Sequence, residues 1–197
     1  MALRKQRRMT LDEFLDWEER QDVRHEFLQG EIVAMVGGTV AHNQIAGNVY
    51  AALRGELRGS PCRVFQETMR IRADESVFYP DVFVTCAMLD DRDRMATEPT
   101  LIVEVLSDST SSYDHTTKSA AYRTLPSLTQ YVLIHQRVAV VESFRRAGDG
   151  WTHELLSGRD GVLAIPALEV GLPLATIYED TRVSFDLTIL TGESDDA

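Results

Sequence analysis

The sequence predicts a single α/β domain, because three of its features are typical of that fold class. The chain has 197 residues, of which 44% are hydrophobic and 26% charged, so it can bury one substantial core. Residues 77–86 and 100–106 are nearly continuous apolar runs, the pattern of central strands covered on both faces. Segments whose apolar residues recur at helical spacing lie before and after these runs.

The first half of the chain begins with a helix and a strand pair. Thr10-Leu11-Asp12-Glu13 is a capping-box pattern, which predicts a short helix through about Arg20. Two strands, residues 25–28 and 31–35, follow around a glycine turn. A second helix is predicted from apolar residues at helical spacing: Ile45, Val49, Ala52, Leu53 and Leu57.

The rest of the chain predicts three strands, a helix and a hairpin. The strand at 63–72 alternates apolar and polar residues, unlike the two continuous runs that follow it. Asp114 is predicted to cap a helix that runs to about Leu125. The predicted order is α-β-β-α-β-β-β-α-β-β, with later strands at 131–134, 138–144 and 151–156 and an apolar closing segment to Tyr178.

The two ends of the chain differ in charge from each other. Residues 1–9 are predicted to be a basic, disordered arm, residues 10–180 a single domain, and residues 181–197 an extension with an acidic tail. A formal net charge of −11 argues against a protein that coats nucleic acid by bulk electrostatics. It does not exclude a local basic surface, although a solvated terminus is the commoner meaning of such an arm.

Cysteine usage and hydropathy predict a cytoplasmic location. No stretch approaches the roughly 20 apolar residues of a membrane span, and no apolar region follows the basic N-terminus as in an export signal. Cys62 and Cys86 form no CxxC pair, so we expect two buried, reduced thiols.

Two carboxylates interrupt the apolar runs. Asp81 precedes Val82-Phe83-Val84, and Glu104 lies within the second run. A carboxylate in a doubly covered strand costs several kcal/mol unless it is paired. A divalent cation between the two would satisfy both, and oxygen ligands without a thiolate favour Mg²⁺ or Mn²⁺. The alternative is a buried ion pair with Arg70 or Arg72.

Further candidates surround this acidic pair in the predicted fold. Lys118, on the helix after the Glu104 strand, could face the strand ends with Tyr122 one turn later. Such a lysine can orient a water or stabilise charge that develops on a phosphate. Ser107 begins a polar loop, residues 107–110, at the carboxyl end of a strand, where α/β sheets commonly place sites.

Three other residues have an ambiguous pattern. Glu31 could be an outer metal ligand, or a solvated strand carboxylate. His42 could be a base or a phosphate contact, and Glu26 could likewise be part of the site, but both could equally be structural. The remaining histidines, His25, His115, His135 and His153, show no metal-ligand spacing, and no role is predicted for them.

Several motifs, taken together in their order, resemble the Uma2 family (DUF820) of restriction-endonuclease-like proteins. They extend from about Thr10 to Tyr178 and include Tyr79-Pro80-Asp81-Val82, residues 99–107, Asp114 through Lys118 to Tyr122, and residues 131–134; residues 25–31, 41–43 and 171–174 fit as well. The resemblance implies the PD-(D/E)xK nuclease fold, a central mixed sheet flanked by helices. It implies that Asp81 and Glu104 are the acidic ligands, with the Val105 carbonyl as a backbone ligand.

The resemblance also implies a function. The chain would be a Mg²⁺-dependent endonuclease that hydrolyses DNA phosphodiester bonds in the cytoplasm, and by analogy with small nucleases it would act as a homodimer. One position departs from the general nuclease pattern, which has lysine two residues after the second acid, where this chain has Leu106. Lys118 would supply the amine instead. The alternative is a catalytically inactive nuclease fold that binds metal or nucleic acid as an assembly module.

Overall fold

A computed structural model of the chain describes residues 9–35, 37–107 and 113–186. The predicted acidic tail, residues 108–110 of the polar loop and all but the last residue of the basic arm lie outside these ranges. Within them, no helix is both long enough and apolar enough to cross a membrane.

A six-stranded mixed sheet forms the centre of the protein, as the predicted fold class requires. Its order is β11-β10-β9-β8-β6-β3, and only the β8–β9 pair is parallel. The strands are β3 (Arg63–Gln66), β6 (Val82–Thr85), β8 (Leu101–Leu106), β9 (Gln130–His135), β10 (Val140–Ala147) and β11 (Gly150–Ser157). In the β6–β8 pair Val82 lies opposite Val103. The antiparallel register therefore brings Asp81 next to Glu104.

A second, five-stranded sheet was not anticipated from the apolar runs. Its order is β2-β1-β5-β4-β7, built from β1 (His25–Leu28), β2 (Glu31–Ala34), β4 (Arg70–Ala73), β5 (Ser76–Phe78) and β7 (Met95–Ala96). The single strands predicted at 63–72 and 77–86 are wrong, because each is split between the two sheets. Glu67 turns the first with a φ of 42°, and Pro80, which lacks an N–H donor, separates the halves of the second. Asp81 thus lies just before β6 and not inside a strand.

Helices cover both faces of the central sheet. Helix α2 (Val40–Glu56), the hairpin of β12 (Val162–Ile165) and β13 (Val170–Pro173), and α4 (Leu174–Ile177) share one core with alternate residues of β8: Leu101, Val103 and Val105. Helix α3 (Ser119–Arg123) and the five-stranded sheet cover the opposite face, where Ile102 and Leu106 are buried. Glu104 lies between these two on the same face, directly beneath α3.

Two helices differ in how well the sequence predicted them. Helix α1 (Leu11–Glu18) begins at the predicted capping box, in which the Thr10 side chain accepts from the Glu13 N–H and the Glu13 side chain accepts from the Thr10 N–H. The helix predicted from Asp114 is instead a π-helical turn (Asp114–Lys118) followed by α3. π-Helical turns are frequent at functional sites. Asp114 is the first residue of this turn, and its side chain lies next to that of Lys118.

The cysteine prediction is wrong. Cys62 and Cys86 form a disulfide bond, and both are at least partly exposed. The reason is the strand register: Arg63 pairs with Thr85 in the antiparallel β3–β6 pair, so the residues immediately outside these strands lie opposite each other. The cytoplasmic location, which was inferred partly from reduced thiols, stays a prediction.

Candidate active site

A cavity of about 290 Å³ opens where the ends of β6 and β8 meet the start of α2 and the π-helical turn. Its wall contains both polar and apolar residues. The polar lining residues are Glu26, Thr39, His42, Tyr79, Asp81, Glu104, Ser107, Tyr113, Asp114, Lys118 and Gln136, and the backbone of Val105 also lines it. The cavity therefore brings together residues from both sheets and two helical segments.

Backbone N–H groups hold the carboxylates of Asp81 and Glu104 next to each other. The Val105 N–H donates to Asp81 Oδ2 at 2.7 Å, and the Asp81 N–H donates to Glu104 Oε2 at 3.3 Å. These bonds follow from the register that places the two residues opposite each other. Glu104 is 3% exposed, whereas the Asp81 side chain retains 15% exposure and faces the cavity. The pair thus presents one deep and one accessible carboxylate.

Lys118 forms ion pairs with three carboxylates at once. Its Nζ lies 2.9 Å from Glu26 Oε1, 3.3 Å from Glu104 Oε1 and 3.3 Å from Asp114 Oδ1. Burial lowers the pKa of Lys118, but the attraction of the three carboxylates outweighs burial and holds that pKa well above its usual value. Lys118 is a buried cation.

One ammonium does not compensate the acidic groups around it. Burial raises the pKa of Glu104 well above its usual value, and repulsion from Asp81, Asp114 and Glu26 adds to this, although Lys118 acts in the opposite direction. Burial likewise raises the pKa of Glu26 despite its contact with Lys118. Four carboxylates, Glu26, Asp81, Glu104 and Asp114, therefore line one cavity, and all but Asp81 share one lysine. This set of hard oxygen donors, with an excess of negative charge, fits a divalent cation.

Two aromatic hydroxyls hold the acidic groups from behind. Tyr122, a fully buried residue of α3, donates from its hydroxyl to Glu104 Oε1 at 2.9 Å. The Tyr131 hydroxyl donates to the Asp114 carbonyl at 3.2 Å, which fixes the start of the π-helical turn to β9. On the other side, the Tyr79 N–H donates to Glu26 Oε1 at 3.2 Å. These hydrogen bonds thus hold the carboxylates of Glu104 and Glu26 and the backbone of Asp114 in place.

His42 stands at the mouth of the cavity, in the first turn of α2. Its Nε2 lies 3.2 Å from Asp81 Oδ2. Burial lowers the pKa of His42, but the hydrogen bond and charge of Asp81 outweigh burial and raise it above its usual value. Gly38 leaves room for the ring, since a Cβ there would lie 2.8 Å from His42 Nδ1. Among the described residues, His42 Nδ1 and the Tyr113 hydroxyl have no hydrogen-bond partner, so both can contact a bound ligand.

The structure brings most of the predicted site residues together. Asp81, Glu104, Val105, Lys118, His42, Glu26 and Ser107 all line the cavity, and Tyr122 contacts Glu104 from the core. Glu31 does not join them: it is exposed on β2 and is not among the described residues that line the cavity. The arginine alternative is wrong, because Arg70 Nε contacts the Arg94 carbonyl and Arg72 pairs with Glu75.

Sequence reasoning missed two residues of the site. Asp114 was assigned only a capping role, although its spacing of four from Lys118 is that of an ion pair on one helix face. Tyr113 gave no signal of its own; it lines the cavity, with its ring centroid 5.8 Å from Lys118 Nζ.

A comparison with protein families identifies the group to which these residues belong. The family model of Uma2, described as "Putative restriction endonuclease", matches residues 11–176. This chain belongs to the Uma2 family. Two Synechocystis relatives support the assignment: the uncharacterized protein sll1609 is 35% identical over 82% of this chain and 95% of its own length, and the uncharacterized protein slr1290 is 35% identical over 73% and 77%.

A solved structure shows the same fold. A crystal structure from Anabaena variabilis, described as a putative nuclease belonging to DUF820, superimposes with a TM-score of 0.71 at 18% identity. The match covers 86% of this chain and 97% of that one. This Uma2 protein therefore has the restriction endonuclease-like fold that its sequence predicted.

Proposed function

We propose that this Uma2 protein is a Mg²⁺-dependent endonuclease that hydrolyses phosphodiester bonds in DNA. The observation that carries the proposal is a cavity, open to solvent, that is lined by four carboxylates, three of which converge on one buried lysine. A purely structural ion pair needs one carboxylate for each cation, whereas here burial, and after it repulsion between the carboxylates, raises the pKa of Glu104 and Glu26. Stability is reduced by such an excess of carboxylates, so a ligand of positive charge is its best explanation.

Asp81, Glu104 and the Val105 carbonyl are the groups that would hold the ion. Mg²⁺ (or Mn²⁺) at this place would act as a Lewis acid, which makes a water more acidic and neutralises the charge of the scissile phosphate. The two carboxylates are already fixed by backbone N–H donors from Val105 and Asp81. The acidic ligands would therefore need little reorganisation to bind the ion.

Lys118, His42 and Tyr113 would act on the phosphate and the attacking water. Lys118 places a permanent positive charge next to Glu104 and stabilises negative charge that develops on the phosphoryl oxygens. Its ammonium takes the place of the lysine that the general nuclease pattern has at Leu106. His42 Nδ1 and the Tyr113 hydroxyl lack partners among the described residues, and they can donate hydrogen bonds to non-bridging oxygens.

Cleavage of supercoiled plasmid DNA tests this proposal. With Mg²⁺ or Mn²⁺ we expect the wild-type chain to nick the plasmid, and Asp81→Asn to be slower by at least about 10²-fold, because the accessible acidic ligand is lost. EDTA should stop the reaction. Asp91→Asn is the matched control: it makes the same change at a side chain that is 99% exposed, and it should cleave at the wild-type rate. Equal cleavage by wild type and Asp81→Asn would reveal a contaminating nuclease.

A second candidate function is a nuclease fold that has lost turnover and binds metal or nucleic acid as an assembly module. Leu106, buried where the general pattern has lysine, favours it. The 3.3 Å contact between Lys118 Nζ and Glu104 Oε1 favours the enzyme, because it restores an amine beside the second acid. Thermal stabilisation by Mg²⁺ without cleavage of any nucleic acid would select the assembly module. A homodimer that cuts both strands and a cytoplasmic location stay predictions.

A further inference from the structure

Three histidines converge on one carboxylate at a place separate from the acidic cavity. His115 Nε2 lies 2.7 Å and His135 Nε2 2.9 Å from Glu142 Oε1, while His153 Nε2 lies 3.2 Å from Glu142 Oε2. We name these four residues the histidine cluster. None of them is among the described residues that line the acidic cavity.

Strand register assembles most of the histidine cluster. In the central sheet Val141 pairs with Ile134 and Phe144 pairs with His153. His135, Glu142 and His153 therefore lie on the same face of β9, β10 and β11, along one diagonal. The His153 ring stacks on Phe144 at 4.4 Å with an interplanar angle of 8°, which fixes its orientation. His115 reaches the same point from the π-helical turn.

We propose that the histidine cluster binds a transition-metal ion of the Zn²⁺ type, as a second metal site distinct from the acidic cavity. Imidazole nitrogens with one carboxylate are donors that suit Zn²⁺ and Co²⁺, whereas Mg²⁺ prefers oxygen ligands. Ligand atoms of His115, His135 and Glu142 all lie within 4.8 Å of one another. His153 lies outside this group of three, but its Nε2 contacts the other oxygen of Glu142 at 3.2 Å, so a movement of its ring would add the fourth ligand of a tetrahedral site.

The cluster is accessible, and its distances from the histidine nitrogens to Glu142 are close to those between the ligands of one ion. The side chains of His115, His135 and His153 are 31%, 32% and 48% exposed, so an ion can enter from solvent. Ligands about 2.0–2.1 Å from a tetrahedral ion lie about 3.3 Å from each other. The present nitrogen–oxygen distances, 2.7 to 3.2 Å, are a few tenths of an ångström shorter. Because the imidazole rings are partly exposed, they can rotate enough to lengthen these distances by that amount.

An ion at this place would tie the π-helical turn to three strands. His115 is the second residue of the turn, between Asp114 and the segment that ends at Lys118. Its attachment to β9, β10 and β11 would restrain Asp114 and Lys118, the two residues of the turn that line the acidic cavity. The ion would thus be structural, and it would position Lys118 without contact with substrate.

Cobalt binding to the tag-free, full-length chain tests the site, because Co²⁺ replaces Zn²⁺ and has a visible absorption that reports low-coordinate nitrogen and oxygen ligands. After EDTA treatment and dialysis, we expect wild type and Asp81→Asn to bind Co²⁺ with that spectrum. His135→Asn and Glu142→Gln, each made in the Asp81→Asn chain, should weaken binding at least about 10-fold. Zn²⁺ should raise the Tm of Asp81→Asn but not of the two double variants.

The Asp81→Asn background removes a ligand of the acidic cavity, so the result is independent of the proposed nuclease activity. His153→Asn in the same background guards against misfolding, since this side chain is half exposed and its replacement leaves the sheet intact; it should also weaken Co²⁺ binding. Melting curves of the metal-free variants confirm that each is folded. Co²⁺ binding that is absent in Asp81→Asn, or unchanged by loss of His135 or His153, would show a hydrogen-bond network only and overturn the proposal.

Discussion

Replacement of Lys118 by methionine is expected to lower the free energy of unfolding by about 3–5 kcal/mol, because it leaves several buried carboxylates without their cation. In a chain of this size that is a fall in Tm of about 6–20 °C. Glu26, Glu104 and Asp114 all contact the same ammonium, and all are buried. Thermal unfolding in EDTA at pH 7 measures the effect.

The loss should depend on pH in a direction that the pKa shifts fix. The pKa values of Glu26 and Glu104 are already raised in the folded state, and loss of the ammonium raises them further. The folded Lys118→Met chain then binds more protons than the unfolded chain, so its stability rises as pH falls from 7 toward the ordinary pKa of glutamate. On the alkaline side, the contribution of Lys118, whose pKa is raised, persists from pH 7 to about pH 10.5 and is lost only above it.

Arg72→Met is the control for Lys118→Met. It removes a cation from an exposed ion pair with Glu75, 3.6 Å away, and such pairs contribute less than about 1 kcal/mol. Two results would mean that Lys118 does not hold the carboxylates together. One is equal stability of the two variants at pH 7, and the other is a loss of stability in Lys118→Met that does not become smaller in acid.

Glu104→Gln is expected to reduce plasmid cleavage by at least about 10³-fold, the range that follows loss of a group central to electrostatic catalysis. Glutamine keeps the shape of the side chain and can still accept from Tyr122, but it removes the charge that binds the cation. In EDTA its Tm should stay close to that of wild type, because burial and neighbouring carboxylates already disfavour the ionised form of Glu104, and the bond lost is the long one, 3.3 Å, from the Asp81 N–H. Loss of cleavage therefore cannot be ascribed to unfolding.

Glu31→Gln provides the matched control, with the same chemical change at a residue that the sequence also proposed for the site. Glu31 is exposed on β2, away from the cavity lining, and we expect wild-type cleavage from this variant. Cleavage that falls equally in both variants, or that survives in Glu104→Gln, would contradict the assignment of Glu104 as an acidic ligand.

Much of the fold was predictable from sequence because burial on both faces leaves a simple apolar pattern. The run at 100–106 became β8 with its bounds nearly unchanged. The run at 77–86 did not become one strand, because apolar residues on both sides of Pro80 belong to different sheets. Periodicity reports that a residue is buried and not which sheet buries it, so the five-stranded sheet could not be found this way.

The same limit separates the predicted and missed parts of the site. Asp81 and Glu104 were found because carboxylates in apolar runs are conspicuous, and the Uma2 resemblance added Lys118. Asp114 was missed although its contact with Lys118 is local, since only tertiary packing brings Glu26 and Glu104 to the same lysine. The histidine cluster was missed because the ligands come from three strands and a helical turn, and only strand register brings them together.

The central claim is that the acidic cavity binds a divalent cation between Asp81 and Glu104. Anomalous diffraction from crystals soaked in Mn²⁺ tests it most directly. We predict a peak in contact with the carboxylates of Asp81 and Glu104 and the carbonyl of Val105, and its loss in crystals of Asp81→Asn. A wild-type cavity with no anomalous peak at saturating Mn²⁺, with Lys118 still bonded to Glu26, Glu104 and Asp114, would contradict the claim.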